Sequence, residues 1–217
     1  MKKLLTFLSI PFIASAYVNM NQCYYAASNY YKVPVKLLYA ITKVESDFKP
    51  YCININSHGK SIWNKCYNDY QSAYYVAKRL FDSGYNIDIG LMQINSENIK
   101  DNHWNLANVL YPCTNVFYGA YLLRENINRY GYNWTAIWHY NGSPSYAHKV
   151  YKALLSLGYG TPKFTAYRYD YSMSIPNATY YHVISVFNAT QTANQNPVKP
   201  QIQTINNGVF TVISDAG

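Results

Sequence analysis

Apolar residues recur along the first two-thirds of the chain at spacings of three and four, the pattern of helices packed by one face. The pattern predicts a first helix over 22–31. Leu37, Leu38, Ile41 and Val44 then form a stripe. A second helix therefore starts at Pro34, a residue tolerated in a first turn, and ends over 47–50. Ala73, Val76, Ala77 and Leu80 mark a third helix, stopped by Ser83-Gly84. Pro112 opens a long helix from about 113 to 130, with Val116, Ala120, Leu123 and Ile127 on one face. A short helix is predicted over 134–140, a turn over 141–144, and a last helix over 145–157 before Gly158 and Gly160. Between these, 51–70 reads as an irregular loop. Residues 86–95 read as a short extended or turn segment around Gly90, with Ser96 as the N-cap of a short helix into Asn102.

After Gly160 the composition turns to Asn, Gln, Thr and Pro. Only 180–187 and 209–214 look β-like. Residues 160–217 therefore read as a polar tail with short strands, not as a second enzyme domain. At the other end, Lys2 and Lys3 precede an apolar run over 4–13 and the small residues Ala14-Ser15-Ala16. This is the pattern of a secretory signal over 1–16, and its core is too short for a mature membrane span. No later segment is apolar enough to cross a bilayer. The chain of 217 residues is long enough for one well-buried domain, over 17–159, plus the tail.

Four cysteines, Cys23, Cys52, Cys66 and Cys113, form an even set. In an exported chain that suggests disulfides. Of the three possible pairings, Cys52–Cys66 with Cys23–Cys113 is favoured, since the first closes a local loop and the second ties an early helix to a later one. A four-cysteine zinc site is the alternative, but no Cys-x-x-Cys spacing exists. The formal net charge is +8, and without Lys2 and Lys3 the balance of 16 basic to 10 acidic residues leaves +6. This suits an anionic polymer such as a wall glycan carrying peptide carboxylates. The basic residues are scattered and no nucleic-acid motif is present, so nucleic acid is not the expected partner. The 26 tyrosines are spread over the whole chain. They read mostly as compositional bias, although tyrosine suits sugar stacking.

One residue breaks the apolar stripe. Glu45 lies one turn beyond Ile41 on the buried face, where a carboxylate must be paired, neutralised or functional. Burial there raises a carboxyl pKa toward the value a general acid needs near neutrality. The helix alone favours a terminal glutamate swinging into water; three downstream segments reverse that. They are Ile89-Gly90-Leu91-Met92-Gln93-Ile94-Asn95, Pro112-Cys113-Thr114-Asn115-Val116 with Gly119-Ala120, and His139-Tyr140-Asn141-Gly142. In this order after Val44-Glu45-Ser46, they resemble the lytic transglycosylase domain of the goose-type lysozyme superfamily, over about 23–157. The early cysteine, the Pro-Cys-Thr-Asn segment and the helix running into Gly90 resemble the subgroup attached to type IV secretion, conjugation and related pilus systems.

The resemblance implies a mainly α, lysozyme-like fold with a small irregular or β segment lining the cleft. It implies that Glu45 is the single acid/base cleaving the bond between N-acetylmuramic acid and N-acetylglucosamine, with a 1,6-anhydro product. Ser46 would orient Glu45 or cap its helix. Gly90 would let backbone approach the sugar, while Met92 and Gln93 would line the cleft. Tyr140 would place its hydroxyl near Glu45, and Asn141 would shape the following turn. Leu91 and Ile94 read as core. No cofactor or metal is expected; the histidines are scattered and give no ligand pattern. The partners implied are peptidoglycan strands and, through the tail, secretion-system or pilus assembly proteins, in the periplasm or envelope. The other glutamates, Glu97 in a helix first turn and Glu125 on a polar face, read as structural. Two alternatives stand beside this reading. One is a lysozyme-type hydrolase using Asp88 and water; the other is a glycan-binding assembly scaffold. The sequence departs from the family's usual Ala-Tyr-Asn-Ala-Gly at His139 and at Gly142-Ser143, and carries a long insert between Glu45 and Gly90.

Overall fold

A computed structural model describes residues 19–160, residue 162, and the strands Ile202–Ile205 and Val209–Val212. The element order is α1 (Met20–Tyr31), α2 (Val35–Ser46), β1 (Cys52–Ser57), β2 (Lys60–Cys66), α3 (Tyr70–Asp82), β3 (Asn86–Ile89) and β4 (Ile94–Asn95). Then follow α4 (Ser96–Asp101), α5 (Leu106–Val109), α6 (Pro112–Tyr130), α7 (Trp134–Trp138), α8 (Pro144–Ser156), β5 (Ile202–Ile205) and β6 (Val209–Val212). The mainly α expectation holds. The tail strand expected over 209–214 is present in part as β6, paired antiparallel with β5. The one expected over 180–187 lies outside the described residues.

Helix α6 is the centre of the core. Cys113 to Ala120 are buried on every side of it, which is why its sequence carries Gly119 and Ala120 among large apolar residues. α1 and α7 pack on α6, and α2 packs on α8. The Cys23–Cys113 disulfide joins α1 to the start of α6, and Cys52–Cys66 joins β1 to β2. Both are the favoured pairings.

Residues 51–70 are not an irregular loop. They form the hairpin β1–β2, and β1 also pairs with β3 in an antiparallel sheet of order β2-β1-β3-β4. The strand signal is a period of two: Ile53 and Ile55 alternate with Asn54 and Asn56. Asparagine is depleted in strands, so the composition hides the alternation. Ile53, Ile87, Ile89 and Ile94 are fully buried on the core face. On the opposite face the asparagines satisfy one another and Asp88 instead of water. Cys52 and Cys66 are directly opposed residues of the hairpin. Replacing both with Ser is expected to cost about 3 kcal/mol, the value for a loop of this size, read as a lower denaturation midpoint under non-reducing conditions.

Smaller differences have local causes. Asn95, not Ser96, caps α4, accepting from the Glu97 amide at 2.8 Å. The Ser96 hydroxyl is already used, accepting from the Ile87 amide across the sheet at 3.0 Å. α5 has a single turn, too short for periodicity to reveal. α7 ends at Trp138, so His139 and Tyr140 lie in the following turn.

Candidate active site

Glu45 sits in the last turn of α2. The residue is half-buried, and its carboxyl is enclosed by protein. Its Oε1 accepts a hydrogen bond from the Tyr146 hydroxyl at 2.5 Å. Burial pushes its pKa up to about 7. The Tyr146 bond opposes this, the Asp88 charge adds to it, and Lys149 opposes it. Desolvation outweighs the hydrogen bond, so Glu45 is poised to hold a proton near neutrality.

The second wall is the turn leaving β3. Gly90 has φ +84°, its amide donates to the Cys52 carbonyl at 2.9 Å, and its carbonyl accepts from the Gln93 amide at 3.3 Å. A side chain at position 90 would collide with Asn115, whose Nδ2 lies 2.2 Å from where a Cβ would stand. Asn115 is fully buried. Its Oδ1 accepts from the Met92 amide at 2.7 Å, and its Nδ2 donates to the carbonyls of Ile89 at 3.0 Å and Val109 at 2.9 Å. Gly119 leaves the room taken by the Met92 thioether. The Pro-Cys-Thr-Asn and Gly-Ala segments are therefore the bed on which the Gly90 turn lies.

Each expected site residue has a definite place. Ser46 is buried and donates to the Leu91 carbonyl at 2.7 Å, tying the end of α2 to the turn. Gln93 has φ +45°, and its Nε2 donates to the carbonyls of Gly90 at 2.8 Å and Cys52 at 3.2 Å. Both donated bonds tie the amide to backbone carbonyls, one in the turn and one at the start of β1. The Met92 side chain does not line the cleft: it is fully buried, and Met92 contributes its carbonyl, which accepts from the Tyr140 hydroxyl at 2.9 Å. Tyr140 therefore braces the turn, with its ring stacked 6.2 Å from that of Tyr146. Asn141 is exposed in the turn after α7, where its amide donates to the Trp138 carbonyl at 3.2 Å. His139 stacks against Tyr130 at 3.7 Å and Trp138 at 3.6 Å, so the family's usual alanine is replaced here by a packing ring. Glu97 accepts from Asn86, and Glu125 is exposed on α6.

The residue missed by sequence reasoning is Tyr146. Its signal is the stripe Tyr146, Val150, Ala153 and Leu154, the buried face of α8 that packs on α2. A tyrosine opening a stripe that faces the Glu45 helix is the natural partner of a buried carboxyl. Burial and the Glu45 charge hold both Tyr146 and Tyr140 far above their ordinary pKa, so both remain donors. Asp88 accepts from the amides of Asn56 at 2.6 Å, Asn95 at 2.7 Å and Asn54 at 3.0 Å, spanning β1, β3 and β4.

Residues 22–153 match the transglycosylase SLT domain. The chain belongs to the transglycosylase SLT family. Protein IpgF of Shigella sonnei is 30% identical over 150 residues, covering 65% of this chain and 84% of the relative. Invasion protein IagB of Salmonella typhimurium is 28% identical over 143 residues, 64% of this chain and 73% of the relative. Protein virB1 of Agrobacterium fabrum is 37% identical over 87 residues, 40% of this chain and 34% of the relative. No solved structure matches. As an SLT protein, the chain is a peptidoglycan lytic transglycosylase. Its described SLT domain has no helix long and apolar enough to cross a membrane.

Proposed function

We propose that Glu45 alone performs both proton transfers of the SLT reaction. The observation that carries this is its enclosed carboxyl, held by Tyr146 and pushed to a pKa of about 7. Protonated Glu45 gives its proton to the oxygen bridging C1 of N-acetylmuramic acid and O4 of N-acetylglucosamine. The C1–O bond breaks and the N-acetylglucosamine end leaves with that proton. The Glu45 carboxylate then takes the proton of the muramoyl 6-hydroxyl as O6 bonds to C1. The product is a 1,6-anhydro end, Glu45 is protonated again, and no water is consumed. The substrate's own acetamido group stabilises the positive charge at C1. A second protein carboxylate, as ordinary retaining glycosidases require, is not needed.

Tyr146 is a positioning residue in this scheme. Tyr146→Phe removes a hydrogen bond to a charged acceptor, worth about 1.5–3 kcal/mol, and is expected to lower kcat about tenfold to a hundredfold. The bond favours the ionised form, so its loss raises the Glu45 pKa. The alkaline limb of the pH–rate profile is therefore expected to move to higher pH. A fall in rate with an unmoved limb would overturn the assignment.

One observation favours a second reading, a hydrolase that activates water with Asp88. Three amides fix this carboxylate, and its charge acts on both Glu45 and Tyr140. The two readings differ in product, an anhydro end or a reducing end.

The cellular purpose proposed is local opening of the wall for an envelope-spanning secretion machine. The SLT domain and the likeness to an invasion protein support it. The tail would carry partner contacts, with its strands added to another sheet. Deleting the residues after Gly160 is expected to leave glycan cleavage intact and weaken partner binding. Loss of cleavage would count against a separate role for the tail.

A further inference from the structure

A concavity of about 530 Å³ lies between α1, the end of α2 and the chain after α8. Its walls include Tyr24 and Tyr25 of α1, Tyr39 of α2, Phe48, Leu91 and Tyr159. The aromatic wall is continuous: Tyr24 and Tyr39 lie 4.2 Å apart between ring centres, and Tyr39 and Tyr159 6.2 Å apart. At the rim, Lys36 Nζ stands 5.7 Å from the Tyr159 ring centre. The polar end is Asn21, whose Oδ1 accepts from the Tyr39 hydroxyl at 2.9 Å, leaving its Nδ2 to donate.

Two of the pocket's wall residues adjoin the Glu45 site, and Glu45 itself is not in the wall. Tyr39 stands six residues before Glu45, about 120° around α2 from it. Phe48 follows Glu45 by three residues, and Leu91 belongs to the Gly90 turn, with its carbonyl held by Ser46. Phe48 is the least ordinary part of the wall. Its φ is +61°, a region a bulky side chain rarely adopts, and the residue is 38% exposed. Strained backbone that holds an aromatic ring at a pocket edge, rather than in the core, points to a use for that ring.

We propose that this pocket is a second saccharide site, which holds a sugar of the same glycan strand away from the bond being cut. Tyrosine and phenylalanine faces suit the C–H face of a pyranose, Asn21 Nδ2 suits a hydroxyl or acetamido oxygen, and Lys36 suits a muramoyl peptide carboxylate. Pocket volume is in the range that takes a small ligand. The proposal rests on the peptidoglycan strand being the substrate. Two sites on one polymer raise its effective concentration at the cleft without touching the chemistry.

The test is equilibrium binding of the Glu45→Gln full chain to peptide-free glycan strands, with and without Tyr25→Ala plus Tyr159→Ala. Both tyrosines are half-buried and lie outside the catalytic constellation. Affinity is expected to fall about tenfold, from the loss of two aromatic contacts. Tyr159→Trp, which keeps a stacking face, is expected to retain it, and melting temperatures report that each variant is folded. Because the readout is binding, it is independent of whether Glu45 is the acid. Unchanged affinity would overturn the proposal, as a pocket made for a protein partner would give. Tighter binding would also overturn it, showing that another part of this chain occupies the pocket.

Discussion

Glu45→Gln is expected to lower the release of muropeptides by at least about a thousandfold, within the range that general acid–base catalysis contributes. The amide neither donates a proton to the leaving oxygen nor accepts one from the 6-hydroxyl, so both steps fail together. The same substitution is expected to stabilise the fold in a pH-dependent manner. The folded-state pKa of about 7 lies above the ordinary value of 4.5. Below 4.5 the folded and unfolded states are both protonated, and the raised pKa costs nothing. Between 4.5 and 7 the unfolded chain releases its proton first, so stability falls as pH rises. Above 7 the full cost of holding a buried carboxylate is present, on the order of 3 kcal/mol for a shift of this size. Gln carries no such cost. The stability gain of Glu45→Gln is therefore expected to be small at pH 4 and larger at pH 8, read as the difference in denaturation midpoint. A gain that is flat with pH would contradict the assigned burial.

Asn115→Ala is expected to be among the most destabilising single changes in the domain, about 5 kcal/mol. Asn115 satisfies the Met92 amide and the Ile89 and Val109 carbonyls with no exposure of its own. Alanine leaves all three backbone groups buried without partners, at about 1–3 kcal/mol each. A typical domain has only 5–15 kcal/mol in total. The substitution should thus give a protein that is largely unfolded, or folded with a loosened Gly90 turn and little activity. An unfolding free energy, from urea titration, within about 1 kcal/mol of wild type would show that the turn does not depend on this amide.

The helices were legible because their apolar faces are broad and period 3.6 is sampled many times in each. Residues 113–130 and 145–157 were located nearly to the residue for that reason. Hairpin β1–β2 was hidden, since its polar face is built from asparagines that bond one another and the remote Asp88. Asn54 and Asn56 look like loop residues until Asp88 is placed beside them. In the site, Glu45 was visible as a carboxylate on an apolar stripe, and Gly90 as a break in an apolar run. Tyr146 was not, among 26 tyrosines. Met92 illustrates the converse. A motif places the residue beside the chemistry, but only packing against Gly119 shows that its side chain turns inward while its carbonyl holds Tyr140. Asn115 belonged to a recognisable segment whose role has no local signature at all, because its three partners lie in β3, in the turn after it and at the end of α5.

The most direct test of the central claim is mass spectrometry of soluble muropeptides from purified peptidoglycan treated with the oxidised protein, beside its Glu45→Gln form. The account predicts 1,6-anhydro-muropeptides from the wild type and none above background from the variant. Reducing-end muropeptides from the wild type would contradict it, because water rather than the 6-hydroxyl would then have attacked C1, and Asp88 would take the role of the second carboxylate.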